Sequence, residues 1–132
     1  MKIHVPKDMS SPPVPPAGYR GSVTGFRVKT SQEGNPYILW EVTLLSQAPN
    51  AEINTVGRRV FDQTTLTESS LWRLGQLLDA VDESMEEGEY TPDEIVAIVT
   101  PKVLNKELFI VVTVEPYQGS NRNKIAEFRK LT

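Results

Sequence analysis

Between Tyr37 and Ser46 apolar and polar positions alternate. Ile38, Trp40, Val42 and Leu44 fall on one face, Tyr37, Leu39, Glu41 and Thr43 on the other. A period of two predicts a strand with one buried face, and it puts Trp40 in the core. Four further runs read as strands: Tyr19 to Thr30, Gly57 to Leu66, Glu107 to Tyr117 and Arg122 to Leu131. In chain order the first strand, Tyr19 to Thr30, and the fourth, Glu107 to Tyr117, are rich in β-branched and aromatic residues, and the third, Gly57 to Leu66, has mixed faces. Gly21 and Gly25 lie inside the first run and mark a bulge or a tight bend. Ser31-Gln32-Glu33-Gly34-Asn35-Pro36 and Gln118-Gly119-Ser120-Asn121 punctuate the pattern as turns, and Gln47 to Val56 is a polar loop.

After the third strand the period changes. Leu71, Leu74, Leu78 and Val81 recur at helical spacing, with Thr67 as N-cap and Leu66 and Leu71 spaced as a hydrophobic staple. Trp72 lies off that stripe and is expected to cap the end of the fold or pack under a loop. Thr91-Pro92-Asp93-Glu94 begins a second short helix, with Pro at its first position and Glu at its third, running to about Val99 and ended by Pro101. The predicted class is mostly β. Five strands with a helix between the third and fourth is the element order of an OB-fold barrel, with the second short helix an addition.

Composition divides the chain unevenly. Residues 1–17 hold Pro12, Pro13, Pro15 and Pro16 and read as a proline-rich arm; residues 18–132 form the single domain. The formal net charge is −3, which speaks against a polyanionic partner. The distribution speaks otherwise. The connection 79–94 carries Asp79, Asp82, Glu83, Glu86, Glu87, Glu89, Asp93 and Glu94 with no Lys or Arg, so the rest of the chain is net basic. There are no cysteines, which removes disulfides and thiolate chemistry. No apolar run is long enough to cross a bilayer and no secretory leader is visible, so a cytoplasmic location is expected.

Three pieces carry a resemblance. The first is Pro16-Ala17-Gly18-Tyr19, then Lys29 through Pro36, then Leu39-Trp40-Glu41-Val42. The second is Gly57-Arg58-Arg59-Val60-Phe61-Asp62, followed by Leu71-Trp72-Arg73-Leu74-Gly75-Gln76-Leu77-Leu78. The third is Val114 to Ile125, ending near Phe128. Over roughly residues 16–130 the chain resembles a family of small bacteriophage proteins that look like OB-fold single-stranded DNA-binding proteins of replication and recombination modules. The resemblance implies largely sequence-independent binding of single-stranded DNA in the host cytoplasm.

Such binding needs cations that follow the phosphates and flat rings on which unpaired bases lie. The Tyr117 to Lys124 hairpin supplies Tyr117, Arg122, Asn123 and Lys124 in one short stretch. The first hairpin offers Lys29 and Tyr37. Arg20 and Arg27 on the first strand, and Arg58 and Arg59 at the start of the third, complete the candidate set. Phe61 follows Arg59 at strand spacing. Phe128 is expected in the core, whereas Phe109 either packs on the helix or presents a base platform. Catalysis is not expected: the only histidine, His4, lies in the arm, and no phosphate loop or nucleophile elbow is present. The acids of 79–94 read as a solvated connection rather than a metal site, and no cofactor is implied. A second reading is an adaptor that recruits a replication or recombination enzyme through the proline arm or the acidic segment. Exposed edge strands would also permit a homo-oligomer.

Overall fold

The computed structural model describes residues 1–5 and 12–131. Residues 6–11, the middle of the expected arm, and residue 132 lie outside the described residues. The five strands are β1 (Ala17–Thr30), β2 (Pro36–Leu44), β3 (Arg59–Thr65), β4 (Glu107–Tyr117) and β5 (Ser120–Arg129). All pair antiparallel in one sheet of order β3-β2-β1-β4-β5. Between β3 and β4 come a 3-10 turn (Glu68–Ser70), helix α1 (Leu71–Ala80) and helix α2 (Pro92–Val103). The strand count and the helices match the sequence reading. The expected barrel is not closed: among the described residues no ladder joins the edge strands β3 and β5, and the architecture is one open five-stranded antiparallel sheet with two helices.

Strand β1 organises the sheet because it has two partners along its length. Ala17–Ser22 pairs with β4, and Gly21–Thr30 pairs with β2. At the overlap a Cβ on Gly21 would meet Val42 Cγ1 at 2.7 Å, so the close approach needs glycine there. The register shifts between Val23 and Gly25, which is the bulge the glycines signalled. The β4–β5 turn has positive φ at both central residues, Gln118 (49°) and Gly119 (82°), the hand that matches strand twist.

The inner face is mostly apolar, with Asp62 and Thr64 of β3 its buried polar members. Val23, Ile38, Trp40, Val42, Leu44, Leu108, Ile110 and Ile125 are each wholly buried. Leu74, Leu77 and Leu78 of α1 and Ile95, Val99 and Val103 of α2 cover them. The one polar atom Trp40 brings inside is satisfied, since its indole N–H donates to Thr64 Oγ1 at 3.2 Å. Phe128 is buried, as its pattern predicts.

Helix ends differ from expectation in two places. Thr67 caps the 3-10 turn by its backbone carbonyl and makes no side-chain cap; α1 proper begins at Leu71. Helix α2 starts as predicted, with a reciprocal capping box: Thr91 Oγ1 accepts from Glu94 N–H at 3.2 Å, and Glu94 Oε1 accepts from Thr91 N–H at 3.1 Å. It does not stop at Pro101 but continues to Val103. Proline forfeits only the bond to the Ala97 carbonyl, on an exposed residue that water can serve, while Val103 gains full burial.

The arm also departs from the expected trailing terminus. Val14 is buried in the main core. Its N–H donates to Asn123 Oδ1 and its carbonyl accepts from Asn123 Nδ2, both at 2.9 Å. Tyr19 O–H donates to the Pro15 carbonyl at 2.6 Å, and burial pushes that phenol above its ordinary range, against the charge of Arg58.

One side chain spans the gap between β3 and β5. Arg73 of α1 donates to Asp62 on β3 through Nε (3.2 Å) and Nη2 (2.8 Å). On the other side it donates to the carbonyls of Ile125 and Ala126 on β5, and its guanidinium lies 4.7 Å over the Phe128 ring. Only 12% of the Arg73 side chain and 9% of the Asp62 side chain is exposed. Burial pushes the Asp62 carboxyl up; the hydrogen bonds and charge of Arg73 pull it back without cancelling the rise. The pair therefore fixes geometry more than it adds stability. Arg73→Leu, which leaves Asp62 buried and unpaired, is expected to cost about 3–5 kcal/mol in urea unfolding, whereas Arg73→Leu with Asp62→Leu recovers most of the loss. The sign of the pH effect follows from the upward shift. Asp62 favours the fold most below the ordinary carboxylate range, and that contribution is lost as pH rises through its raised pKa. Wild-type stability relative to Asp62→Asn should fall across that window and level off above it.

Candidate functional site

The outward face of β1, β2 and β3 is ordered by register into rows across the strands. Lys29, Tyr37 and Thr65 form one row; Arg27, Leu39 and Gln63 the next; Gly25, Glu41 and Phe61 the third; Thr43 and Arg59 the last. A shallow depression lies over the middle rows, walled by Arg27, Phe61 and Arg59. A second, of about 530 Å³, shares Leu39, Arg59 and Phe61 with it and crosses the seam to Arg122 and Lys124 on β5. A third shares Gln63 and Lys124 with the second and runs on to Trp72 at the start of α1. The three join into one trough that crosses β1, β2 and β3, passes over the open seam and ends on the helix.

The cations of this trough are held lightly. Among the described residues Arg27 and Lys29 enter no ion pair. Arg59 meets Glu41 at 3.3 Å, and Glu41 also accepts from Thr24 O–H at 2.8 Å. Arg122 meets Glu115 at 2.9 Å, and Lys124 meets the same carboxylate at 3.9 Å. These pairs sit at the surface, where each is worth about 0–1 kcal/mol, so a phosphate can replace the carboxylate at small cost. Asp62, the other acid of the trough, is occupied by Arg73.

Rings alternate with these charges. Phe61 is 49% exposed between Arg59 and Gln63 on its own strand face. Tyr37 stands half-buried beside Lys29. Tyr117 is exposed, and the Arg122 guanidinium covers one side of its ring at 3.8 Å from the centroid. Phe26, on the edge of β1, is exposed with its ring centroid 6.1 Å from that of Trp40.

The structure brings together Arg27, Lys29, Tyr37, Arg59, Arg122 and Lys124, with Tyr117 adjoining through Arg122. Three candidates are engaged elsewhere. Arg20 lies on the stretch of β1 paired with β4 and meets Glu107 at 3.6 Å. Arg58 donates to the Pro12 carbonyl. Asn123 borders the seam, but its amide is taken by Val14 and the Thr113 carbonyl. Arg58 and Asn123 thus hold the arm in place. Phe109 lies against Gly18, where an added Cβ would come within 2.2 Å of the ring; it packs across β1 instead of standing in the trough.

Trp72 was expected to pack and instead is 67% exposed. The signal was present: an aromatic next to Leu71 but off the Leu71, Leu74, Leu78 stripe projects away from the core. Phe26 could not be found from its pattern, because it lies on the inward face of β1. It is exposed because β1 beyond Val23, whose N–H and carbonyl bond Lys106 and Asn105, has no strand partner on its β4 side.

Among the described residues no three His, Asp or Glu side chains converge as metal ligands, and no helix is long and apolar enough to cross a membrane. Comparison with known protein families finds no match to this chain, and no curated protein matches it. Asn123→Ala would leave the part-buried Val14 N–H and carbonyl without partners. A loss of about 1–3 kcal/mol is expected in urea unfolding, with faster exchange of the Val14 amide and earlier proteolysis near Pro12.

Proposed function

We propose that this protein is an OB-fold binder of single-stranded DNA with little sequence preference, working in phage replication or recombination. The observation that carries the reading is the grouping of cations and rings on one side of the sheet: Arg27, Arg59, Phe61, Arg122 and Lys124 line the joined depressions, Lys29 and Tyr37 form the neighbouring row, and Tyr117 adjoins through Arg122. Arg27, Lys29, Arg59, Arg122 and Lys124 suit phosphates, and Tyr37, Phe61 and Tyr117 suit bases. Rings standing in a groove reward only bases free of pairing, which favours a single strand over a duplex. The strand order supports the fold assignment. An OB barrel is a partly open Greek-key barrel, and here the two edge strands are linked across the seam by the Arg73 side chain.

The adaptor reading has one observation in its favour. Leu71, Leu78, Met85, Tyr90 and Ile95 floor an apolar groove beneath the acidic connection, rimmed by Asp79, Glu83, Glu86 and Glu87. That chemistry would suit a basic amphipathic segment of a replication or recombination enzyme. Neutralising Glu86 and Glu87 to Gln would weaken capture of such an enzyme and leave oligonucleotide binding intact.

The decisive measurement is fluorescence anisotropy of labelled oligothymidylate of about 30 nucleotides, longer than the roughly 4–16 that one such fold covers, against the matching duplex. The single strand should bind more tightly, and its affinity should fall with salt. Arg27→Ala should flatten the log–log salt slope by about 0.7, the value for one single-strand phosphate. Phe61→Ala should cost about 1–3 kcal/mol with the slope unchanged. Equal affinity for duplex and single strand, or no binding of either, would refute the proposal.

A further inference from the structure

Trp72 is the largest apolar side chain left in water on α1, and its surroundings are unlike those of a protein-docking ring. It shares its depression mainly with polar and charged groups: Gln63, Thr65, Ser70, Thr113, Lys124 and the Asp62–Arg73 pair. A protein hot spot gathers large apolar neighbours that exclude water; here the apolar lining besides Trp72 is Ala126 and the wholly buried Ile125. The nearest acid, Asp62, is already paired with Arg73.

Position adds a second argument. Arg73, the next residue, is locked to Asp62 on β3 and to the Ile125 and Ala126 carbonyls on β5. The first turn of α1 is therefore fixed against the seam, and with it the backbone from which the Trp72 side chain projects. A platform on an anchored backbone leaves only its own two side-chain torsions to order when a flat partner arrives. Lys124 belongs both to the depression over the seam and to the one around Trp72. A chain whose phosphate rests on Lys124 can lay the next base on the indole.

We infer that Trp72 is a base-stacking platform that carries a single strand off the sheet, over the seam and onto the start of α1. This inference rests on the single-strand reading and extends its track beyond the strands.

The two tryptophans make the test direct. Trp40 is wholly buried with its N–H bonded to Thr64, so an emission change on adding oligothymidylate reports Trp72. Wild type, Trp72→Ala and Trp72→Phe are compared by anisotropy with labelled oligothymidylate and with an abasic strand of equal length, with intrinsic emission followed in parallel. In wild type the emission is quenched as the labelled strand binds. Trp72→Ala weakens oligothymidylate binding by about 5- to 150-fold, the loss of one stacked base. Its salt slope is unchanged, because no phosphate contact goes. Trp72→Phe recovers part of the affinity without the quenching. The abasic strand binds wild type and Trp72→Ala alike. A wild type that binds oligothymidylate without quenching, and no more tightly than Trp72→Ala, overturns the stacking role and leaves the single-strand reading standing. A wild type that binds no strand overturns both. An equal loss on the abasic strand means the substitution acts on the fold, and that too defeats the inference.

Discussion

Arg73 is the constraint on which the rest of the molecule turns. A five-stranded antiparallel sheet curled around a core brings its edge strands face to face, and unpaired edges invite association with other chains. Here the edges are joined by a guanidinium. It takes the Asp62 carboxylate from β3, two carbonyls from β5 and the face of Phe128. Such a buried pair is a poor source of net stability, and the upward push on Asp62 says as much. Its value is directional: the fork admits one arrangement of helix and edges. The seam stays open enough to form a groove while its two walls keep a fixed spacing.

That solution shapes the candidate groove. Had β3 and β5 zipped into a continuous ladder, the depression between Phe61 and Lys124 would be shallower. With a side-chain bridge beneath it, the seam becomes the middle of a path from Arg27 to Trp72. The long strand β1 contributes in the same way. It pairs with β4 at one end and β2 at the other, and the bulge at its middle turns Arg27 and Lys29 onto the face of Tyr37 and Leu39.

Much of this was legible in the sequence, for identifiable reasons. The period-two run of β2 fixed which residues face inward, and Trp40 followed from it. The capping box of α2 was readable because it is local chemistry between Thr91 and Glu94. What escaped were relations between distant residues. Nothing near Asn123 announces that its amide will hold Val14, which is far away in the chain, so it read as a binding residue. Arg20 and Arg58 looked equivalent to Arg27 and Arg59 because a strand sequence shows alternation but not which stretch of neighbour lies alongside. The OB-fold barrel was inferred from element order, which records strand sequence but not whether the last gap is bridged by backbone or by a side chain. Trp72 was misjudged by treating a large apolar ring as core by default, when its place off the stripe already put it outside.

The negative total charge looks at odds with a polyanion partner until distance is considered. Of the eight acids in 79–94, none lines the trough. Asp79 and Asp82 are partnered by Lys130, and Glu94 is committed to the cap of α2. At 0.1 M salt, exposed charges farther apart than about 10 Å are largely screened from one another. A phosphate in the trough would meet Arg27, Arg59, Arg122 and Lys124 and the weakly held Glu41 and Glu115 directly, and none of the acids of the connection. At low salt the same acids would repel a strand approaching from their side and leave the basic face as the open approach. Net charge sums over a surface that the ligand never meets all at once. For this fold the useful quantity is the sign of the charge along the groove, and that is set by which residues the register of β1, β2 and β3 turns outward.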